Sequence, residues 1–573
     1  MFSRRFVSWC LLAFCLLAAC TRPEKPSGGQ VSVLPFDNLT SDPSLNWMGR
    51  GASVVLRDQL NGTSWMPVDP QGAEAPRVSN TIVGYVTRRG DQLFVNAVLR
   101  NGNAQTVDSE QVHGPASAGI LPLMNQVAKH FSPGAKPYGT TNEQAARALF
   151  LATSATTPAD VLAQIDASIA ADPHFAAAHM SKIEVLQGMQ RKDDALKALE
   201  EARRNASSFS PKDRSQLEYI AASLTGDKQK RSQALEEMAK ANPSDVRIQQ
   251  TLAESCVQAR KYTCAIDAMN AALKIEPRNV NLWNSLAYAE AYAGDLPGAQ
   301  KALDQYHALA PTDANAWDSM GEIHFLLGRY SDAEKDFLEA HRINPAMLQG
   351  GHLYRAALAH LMTGDASGAD AIFQKYIDFR KQAQDPAVEL RSAIWQFQSG
   401  HSDAALATFD RVAKSNPQWT AFALVESTFI LLQQGKREAA NRNALAAAKS
   451  ASNPNVRTMA IVAQILAAPS ASPAEWKRRI ESTVQQPRAR DQLLGYALAL
   501  DGHYAEAVPV WQSIYDSSTQ ETSSEAKVML AFALTKTGRK ADAQSLLRTG
   551  IFLPRNPEPG LDALIYPLFR SLK

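Results

Sequence analysis

Residues 314–345 read ANAWDSMGEIHFLLGRYSDAEKDFLEAHRINP. The stretch holds two helical patterns separated by Gly328-Arg329, a pair that suits the left-handed end of a helix. Its small residues would let two antiparallel helices approach closely, and its bulky residues would fill the gap to a neighbouring hairpin. The positions that carry the pattern are Trp317, Met320, Gly321, Ala333, Phe337, Ala340 and Pro345. The stretch therefore predicts one helical hairpin closed by a proline.

The same pattern returns along most of the chain, and its period is 34 residues. The prolines that close the clearest units are Pro243, Pro277, Pro311 and Pro345. Weaker copies extend in both directions, so that about twelve units account for residues 142–550.

This signature resembles the tetratricopeptide repeat (TPR). The resemblance implies a mostly α fold, a TPR α-solenoid in which helical hairpins form a right-handed superhelix. The first helix of each pair would line a concave groove. We expect residues 551–573 to act as a C-terminal cap.

A small α/β domain is predicted before the repeats, over residues 30–138. Residues 81–87 and 92–99 are strand patterns joined by a short turn, and residues 47–60 have helical spacing. The domain resembles the TolB amino-terminal-like family. The matching residues are Leu34, Pro35, Phe36, Asn38, Leu39, Asp42, Pro43, Gly51 and Gly84. Arg50 departs from the family, which usually carries an acidic residue there. The resemblance implies a fold and a periplasmic or docking context.

The first residues of the chain indicate export and a lipid anchor. Two arginines precede an apolar stretch that is too short to span a bilayer, and the stretch ends in Leu-Ala-Ala-Cys20. This ending resembles the lipobox of bacterial lipoproteins. The resemblance implies a signal peptide over residues 1–19, acylation of Cys20 and a tether over residues 20–29. Thr21 follows where some lipoproteins carry the inner-membrane retention Asp. We therefore expect a lipid-anchored protein of the bacterial cell envelope, at the outer membrane and facing the periplasm.

The charge balance argues against a nucleic-acid partner. The chain has 59 Lys and Arg against 57 Asp and Glu, and loss of residues 1–19 removes two arginines and no acid. No basic excess remains to attract phosphates. The sequence also shows no catalytic motif and no cluster with metal-ligand spacing. We therefore predict a protein that is not an enzyme and that needs neither cofactor nor metal.

Candidate partner-binding residues are the polar and aromatic positions predicted to face the groove. Asparagines can donate to and accept from an extended backbone, and tyrosines offer a flat apolar surface with a polar tip. These positions are Arg247, Gln250, Glu254, Asn281, Asn284, Tyr288, Tyr292, Asp318, Glu322 and His352. Each could equally be an ordinary solvated residue of the groove.

Two further cysteines, Cys256 and Cys264, fall in one predicted hairpin. A hairpin could bring them within the distance that a disulfide requires, and two buried free thiols are the alternative.

The predicted function is a scaffold or adaptor that binds a protein or peptide of the cell envelope through the groove. One alternative is a regulatory lipoprotein that activates or senses a cell-wall enzyme. Another is a glycan or small-molecule binder that uses Tyr288, Tyr292 and tryptophans as stacking platforms. The sequence leaves the partner, the pathway and the oligomeric state open.

Overall fold

The structure, a computed structural model, describes residues 28–68, 80–243, 245–452, 454–558, 560 and 562–573. The predicted signal peptide, Cys20 and most of the predicted tether lie outside these residues. None of the described helices combines the length and the apolar composition needed to cross a bilayer. The chain divides into two compact units, Met1–Cys256 with Asp267–Arg278, and Val257–Ile266 with Asn279–Lys573.

The first unit begins with a six-stranded sheet and two helices. The strands are β1 (Gly29–Val33), β2 (Asp37–Asn38), β3 (Trp65–Val68), β4 (Asn80–Arg89), β5 (Gln92–Asn101) and β6 (Thr106–Pro115). The main strand order is β3-β1-β4-β5-β6, with β2 beside β4, and β4, β5 and β6 pair antiparallel. Along β5 the side chains alternate between buried and half-buried. The buried side chains share one core with α1 (Asn46–Leu60) and α2 (Leu121–Phe131).

The next helices form consecutive pairs. Three pairs lie entirely in the first unit. They are α3 (Glu143–Ala152), α4 (Pro158–Ala171), α5 (Ala176–Gly188), α6 (Lys192–Asn205), α7 (Pro211–Thr225) and α8 (Lys228–Ala241). The boundary runs through the following pair, α9 (Val246–Gln258) and α10 (Tyr262–Ile275).

Eight further pairs belong to the second unit. They are α11 (Val280–Ala293), α12 (Leu296–Leu309), α13 (Ala314–Leu326), α14 (Tyr330–Ile343), α15 (Gly351–Leu361), α16 (Ala366–Gln382), α17 (Val388–Gln398), α18 (Ser402–Ser415), α19 (Thr420–Gln433), α20 (Arg437–Ser450), α21 (Pro454–Ala467), α22 (Pro473–Thr483), α23 (Pro487–Leu500), α24 (Tyr504–Ser517), α25 (Ser524–Lys536) and α26 (Lys540–Leu546). The predicted fold class is therefore confirmed: helical hairpins follow a small α/β domain.

The hairpin of α13 and α14 shows why the residue pattern works. Gly321 lies against the ring of Phe337, and a Cβ at this glycine would come within 2.6 Å of that ring. Ala333 and Phe337 are fully buried. Trp317 packs edge-on against His307 of the preceding pair, at 4.6 Å between ring centroids. The small residues thus close the hairpin, and the tryptophan joins it to its neighbour.

Residues 549–573 pack against the last pair and also against earlier pairs of the array. Residues 550–558 have no regular secondary structure, and α27 (Asp562–Leu572) follows. This helix packs against both α25 and α17, which lie four pairs apart. Ile565, Tyr566 and Phe569 on it are buried, which explains why the segment folds back onto the array. The predicted end cap thus extends over earlier pairs.

Candidate functional site

The candidate site lies in the second unit, where residues 549–558 cross the first helices of several pairs. We call these residues the crossing segment. We call the surface beneath them the first-helix face, formed by α11, α13, α15, α17, α19 and α25. Helices α11 and α13 belong to the first pairs of this unit and α25 to its last, and all three contact the crossing segment. The segment therefore contacts both the first pairs and the last pair of the unit.

An aromatic pocket receives the hydrophobic part of the crossing segment. The ring of Phe552 lies 6.4 Å from that of Tyr288, nearly parallel to it, and 6.1 Å from that of Tyr292. Ile551 and Leu553, on either side of Phe552, are 3% and 5% exposed. Burying such aliphatic side chains is worth about 1.5–3 kcal/mol each. Three consecutive side chains thus hold the segment on the face.

Main-chain hydrogen bonds fix the same part of the segment. The Gly550 N–H donates to the carbonyl of Leu326 on α13 at 2.6 Å, and the Phe552 N–H donates to Ser524 Oγ at 3.1 Å. From α25, Lys527 Nζ donates to the Thr549 carbonyl at 2.9 Å, to Thr549 Oγ1 at 2.7 Å and to the Gly550 carbonyl at 2.8 Å. Most of these hydrogen bonds involve main-chain atoms of the segment, so they depend little on its side chains.

Lys527 is an unusual cation because its ammonium group is buried on an apolar helix. Burial, with repulsion from Lys573 and Arg260, lowers the pKa of Lys527 to about 7. All three of its donors find oxygen acceptors in the crossing segment, which compensates the cost of burying them. Lys527 therefore couples the last pair of the unit to the segment.

Polar contacts hold the second half of the segment. Arg391 on α17 donates to the Pro557 carbonyl at 2.9 Å and to Glu558 Oε1 at 3.2 Å. Tyr376 OH donates to Asn556 Oδ1 at 3.0 Å. Gly351 lies beneath Arg555, and a Cβ there would come within 2.2 Å of the Arg555 carbonyl oxygen. Any side chain at this glycine would push the backbone of the segment away from α15.

A buried charge cluster supports the aromatic pocket. Arg355 on α15 is 0% exposed, and its guanidinium donates to both Asp318 and Glu322 on α13. Tyr288 OH donates to the other oxygen of Glu322 at 2.5 Å. Burial and the charge of Glu322 raise the pKa of the Tyr288 hydroxyl well above its ordinary value, so this hydroxyl stays a donor. The cluster thus orients the ring against which Phe552 packs.

The Arg355 guanidinium also controls the ionisation of Asp318. Burial opposes ionisation of this carboxyl, but Arg355 and the nearby His352 outweigh burial and hold its pKa below its ordinary value. The ring nitrogen His352 Nε2 lies 3.3 Å from Asp318 Oδ1. Asp318 is therefore a carboxylate at neutral pH, which the buried guanidinium needs as its counter-ion.

Nine of the ten predicted groove residues fall into three groups. Tyr288, Tyr292, Asp318 and Glu322 form the pocket or its support, as described above. Asn281 is exposed and Asn284 half-buried, both on α11. Arg247 and Glu254 on α9 are exposed and Gln250 is half-buried.

His352 differs from the prediction. It was expected to line an open groove, yet it is completely buried. Helix α15 carries buried side chains nearly all the way round, because neighbouring helices and residues 549–573 cover it. A partner cannot reach this imidazole while the fold is intact.

The groove itself differs from the prediction in the same way. The repeat pattern predicts an open surface, whereas the chain's own crossing segment and α27 occupy the first-helix face. One apolar cavity of about 460 Å³ remains beneath α27, lined mostly by aliphatic and aromatic side chains. Phe429, Leu466, Tyr496 and Met529 are among them.

Cys256 and Cys264 are joined by a disulfide in the structure. They lie late in α9 and early in α10. The predicted acylation site Cys20 lies outside the described residues.

Several residues of the site escaped the sequence analysis. Arg355 stands in an apolar helix, GHLYRAALAHL, and an isolated positive charge in such a run is a usable signal. Lys527 gives a weaker one, because Glu525 and Lys536 share its helix. Phe552, Arg391 and Gly351 carry no such signal, because their roles depend on which distant residues the array brings together.

The comparisons with known proteins bear on the repeat region. Residues 314–346 match the sequence profile described as "Tetratricopeptide repeat". That stretch matches a TPR unit. None of the curated proteins compared with the chain matches it.

Three solved structures resemble parts of the chain. MamA is 18% identical, over 31% of this chain and 96% of its own, with a TM-score of 0.27. YrrB, described as a TPR protein with an unusual peptide-binding site, is 14% identical over 32% and 93%, with a TM-score of 0.28. PilW, described as a widely conserved type IV pilus biogenesis factor, is 15% identical over 36% and 96%, with a TM-score of 0.29.

Proposed function

We propose that this protein is a lipid-anchored scaffold of the bacterial cell envelope, and that it binds a protein partner through the first-helix face. One observation carries the proposal: this face already holds an irregular chain segment in the manner of a peptide site. A pocket takes an aromatic side chain, and polar groups from three helices bind main-chain atoms. Main-chain contacts supply affinity in such sites and side-chain pockets supply specificity.

The membrane context of the proposal comes from the sequence. The lipobox-like ending at Cys20 supports acylation, and the TolB-like resemblance of residues 30–138 supports a periplasmic docking role for the small domain. The repeats would then face the periplasm from an outer-membrane anchor. Replacing Cys20 by Ala tests the anchor: the variant should move to the soluble fraction of the envelope. If it stays with the membranes, the anchor is wrong.

Of the alternatives, the glycan binder loses its main support. Two of its expected stacking platforms, Tyr288 and Tyr292, are covered by the ring of Phe552, so that it would depend on the tryptophans. A regulatory lipoprotein would use the same face toward a cell-wall enzyme, so that identification of the partner distinguishes it from a general scaffold.

The function is tested by capture of envelope proteins on the purified full chain. The face variant combines Tyr292→Ala with Arg391→Ala. The matched control is Arg411→Ala, because Arg411 pairs with Glu389 on an exposed surface. We expect the wild type and the control to retain the same discrete proteins and the face variant to lose them. Equal retention by all three chains, or retention of purified peptidoglycan alone, contradicts the proposal.

A further inference from the structure

We propose that the crossing segment is an intramolecular occupant of the partner's site, and that the partner supplies an extended segment of the same chemistry. That chemistry is an aliphatic–aromatic–aliphatic triplet followed by proline and, a few residues later, a carboxylate. The inference rests on the proposed function. It adds the chemistry of the partner segment and names the crossing segment as its competitor.

The triplet is the first requirement. Ile551, Phe552 and Leu553 meet the face together, and the pocket of Tyr288 and Tyr292 is shaped for a flat ring. Aromatic anchors in such pockets usually supply most of the binding energy of an interface. A partner segment without an aromatic residue would leave the pocket empty.

The carboxylate is the second requirement. Arg391 is held in place by Asp385, at 2.8 Å, and it directs a second N–H toward Glu558. Asp385 also binds Arg380 at 2.8 Å, so two guanidiniums share one buried carboxylate. This local excess of positive charge favours an anionic side chain in the ligand.

The segment is placed to exchange with another chain. Arg555 and Glu558 are exposed and Phe552 and Asn556 are half-buried, whereas Ile551, Leu553 and Pro557 are buried against the face. Release of the segment therefore exposes these three side chains, and the proposal requires that the helices on either side stay folded when it leaves. Helix α26 ends before it, and α27 is held separately through Tyr566, whose hydroxyl donates to the Leu358 carbonyl. The tether keeps the local concentration of the segment high, so that a partner must compete with it.

Competition has a quantitative signature. When only a small fraction of the molecules has a free face, the apparent dissociation constant of a partner equals the intrinsic constant divided by that fraction. Weakening the segment in cis should therefore tighten binding in trans. A segment that is only a structural plug would show no such effect.

The test uses a fluorescent synthetic peptide of residues 549–558, TGIFLPRNPE, and the full-length protein. Binding is measured by anisotropy for the wild type, for Phe552→Ala and for the control Phe94→Ala, whose ring is half-buried on β5 of the small domain. We expect Phe552→Ala to bind the peptide at least about tenfold more tightly than the other two chains. Hydrogen exchange at the protein's own Gly550 amide should be faster in Phe552→Ala than in the wild type, and it should stay fast with peptide bound, because the peptide takes the place of the segment.

Three results would overturn the inference. One is equal affinity of the peptide for all three chains. Another is no binding to Phe552→Ala although its Gly550 amide exchanges faster. The third concerns the carboxylate: a peptide with Gln in place of Glu558 should bind Phe552→Ala about twofold to fivefold more weakly, and equal binding refutes that part.

The outcomes separate this inference from the proposed function. If the wild type and Phe552→Ala capture equal amounts of an envelope protein and the peptide does not displace it, the inference fails and the scaffold stands. If neither chain captures any protein, the proposed function fails, and peptide binding still reports whether the face exchanges its occupant.

Discussion

Replacement of Arg355 by Met removes the guanidinium that pairs with both Asp318 and Glu322. The two carboxylates, with 14% and 19% of their side-chain surface exposed, would then lose this shared counter-ion, while His352 Nε2 would remain 3.3 Å from Asp318. Removing one partner of a buried ion pair costs about 3–5 kcal/mol, because the remaining charge stays buried and uncompensated. Met is close to Arg in length, so little of the cost should come from a cavity.

The loss should be local, because each pair in a repeat array contacts mainly its neighbours. Hydrogen exchange of the α13 and α15 amides is therefore the appropriate assay. A loss of about 3 kcal/mol corresponds to exchange about 100-fold faster. The matched control is Arg342→Met on α14, which removes an exposed arginine paired with Glu339 and should leave exchange unchanged.

The effect of Arg355→Met should also depend on pH, with a definite sign. In the wild type the pKa of Asp318 lies below its ordinary value, so its ionisation stabilises the fold above that value and the gain is lost as the pH falls. Arg355 is the strongest charge that opposes burial at Asp318, so its loss should raise the pKa of this carboxyl although His352 remains. The variant should therefore lose most stability near neutral pH and least near pH 4. A cost below about 1 kcal/mol at neutral pH would refute the assignment of Arg355 as the counter-ion.

Three further predictions concern single groups of the site and its surroundings. Because the pKa of Lys527 is lowered to about 7, the unfolded chain should bind about one proton more than the fold above that pH, and stability against urea should rise with pH by up to about 1.4 kcal/mol per unit between pH 7 and 9. Lys527→Met should lose this slope, and an unchanged slope contradicts the lowered pKa. Gly351→Ala should displace the crossing segment and speed exchange of its amides at least about tenfold, with α11 unaffected; unchanged exchange means that the close approach at this glycine is wrong. Cys256 and Cys264 should resist alkylation in the denatured chain until they are reduced, as peptide mass spectrometry would show, and reduction should cost about 2–3 kcal/mol of local stability; alkylation before reduction excludes the bond.

The repeat architecture could be predicted because its physics is local. Each hairpin needs small and bulky residues at the same positions, such as Gly321 packed against Phe337, and these positions return at a fixed period. The strands and helices of the small domain could be placed for the same reason. The alternation along β5 and the turn that joins it to β4 are visible in neighbouring residues.

The site could be predicted only in part. The spacing of 34 residues places Asn284, Asp318 and His352 at equivalent positions of successive pairs, but it does not say which of them stay open. The closure of the second unit around residues 549–573 buries His352 and covers Tyr288. That closure depends on curvature summed over eight pairs, and a small rotation per pair cannot be inferred from composition or period.

The central claim is that the chain's own crossing segment occupies the first-helix face, and intramolecular photocrosslinking tests it most directly. Phe552 is replaced by p-benzoylphenylalanine in the full-length protein, and the irradiated sample is analysed by peptide mass spectrometry. The account predicts a crosslink within the same chain to the α11 peptide that contains Tyr288 and Tyr292, with a yield independent of protein concentration. A crosslink that forms only between chains, or no crosslink to α11, would contradict it.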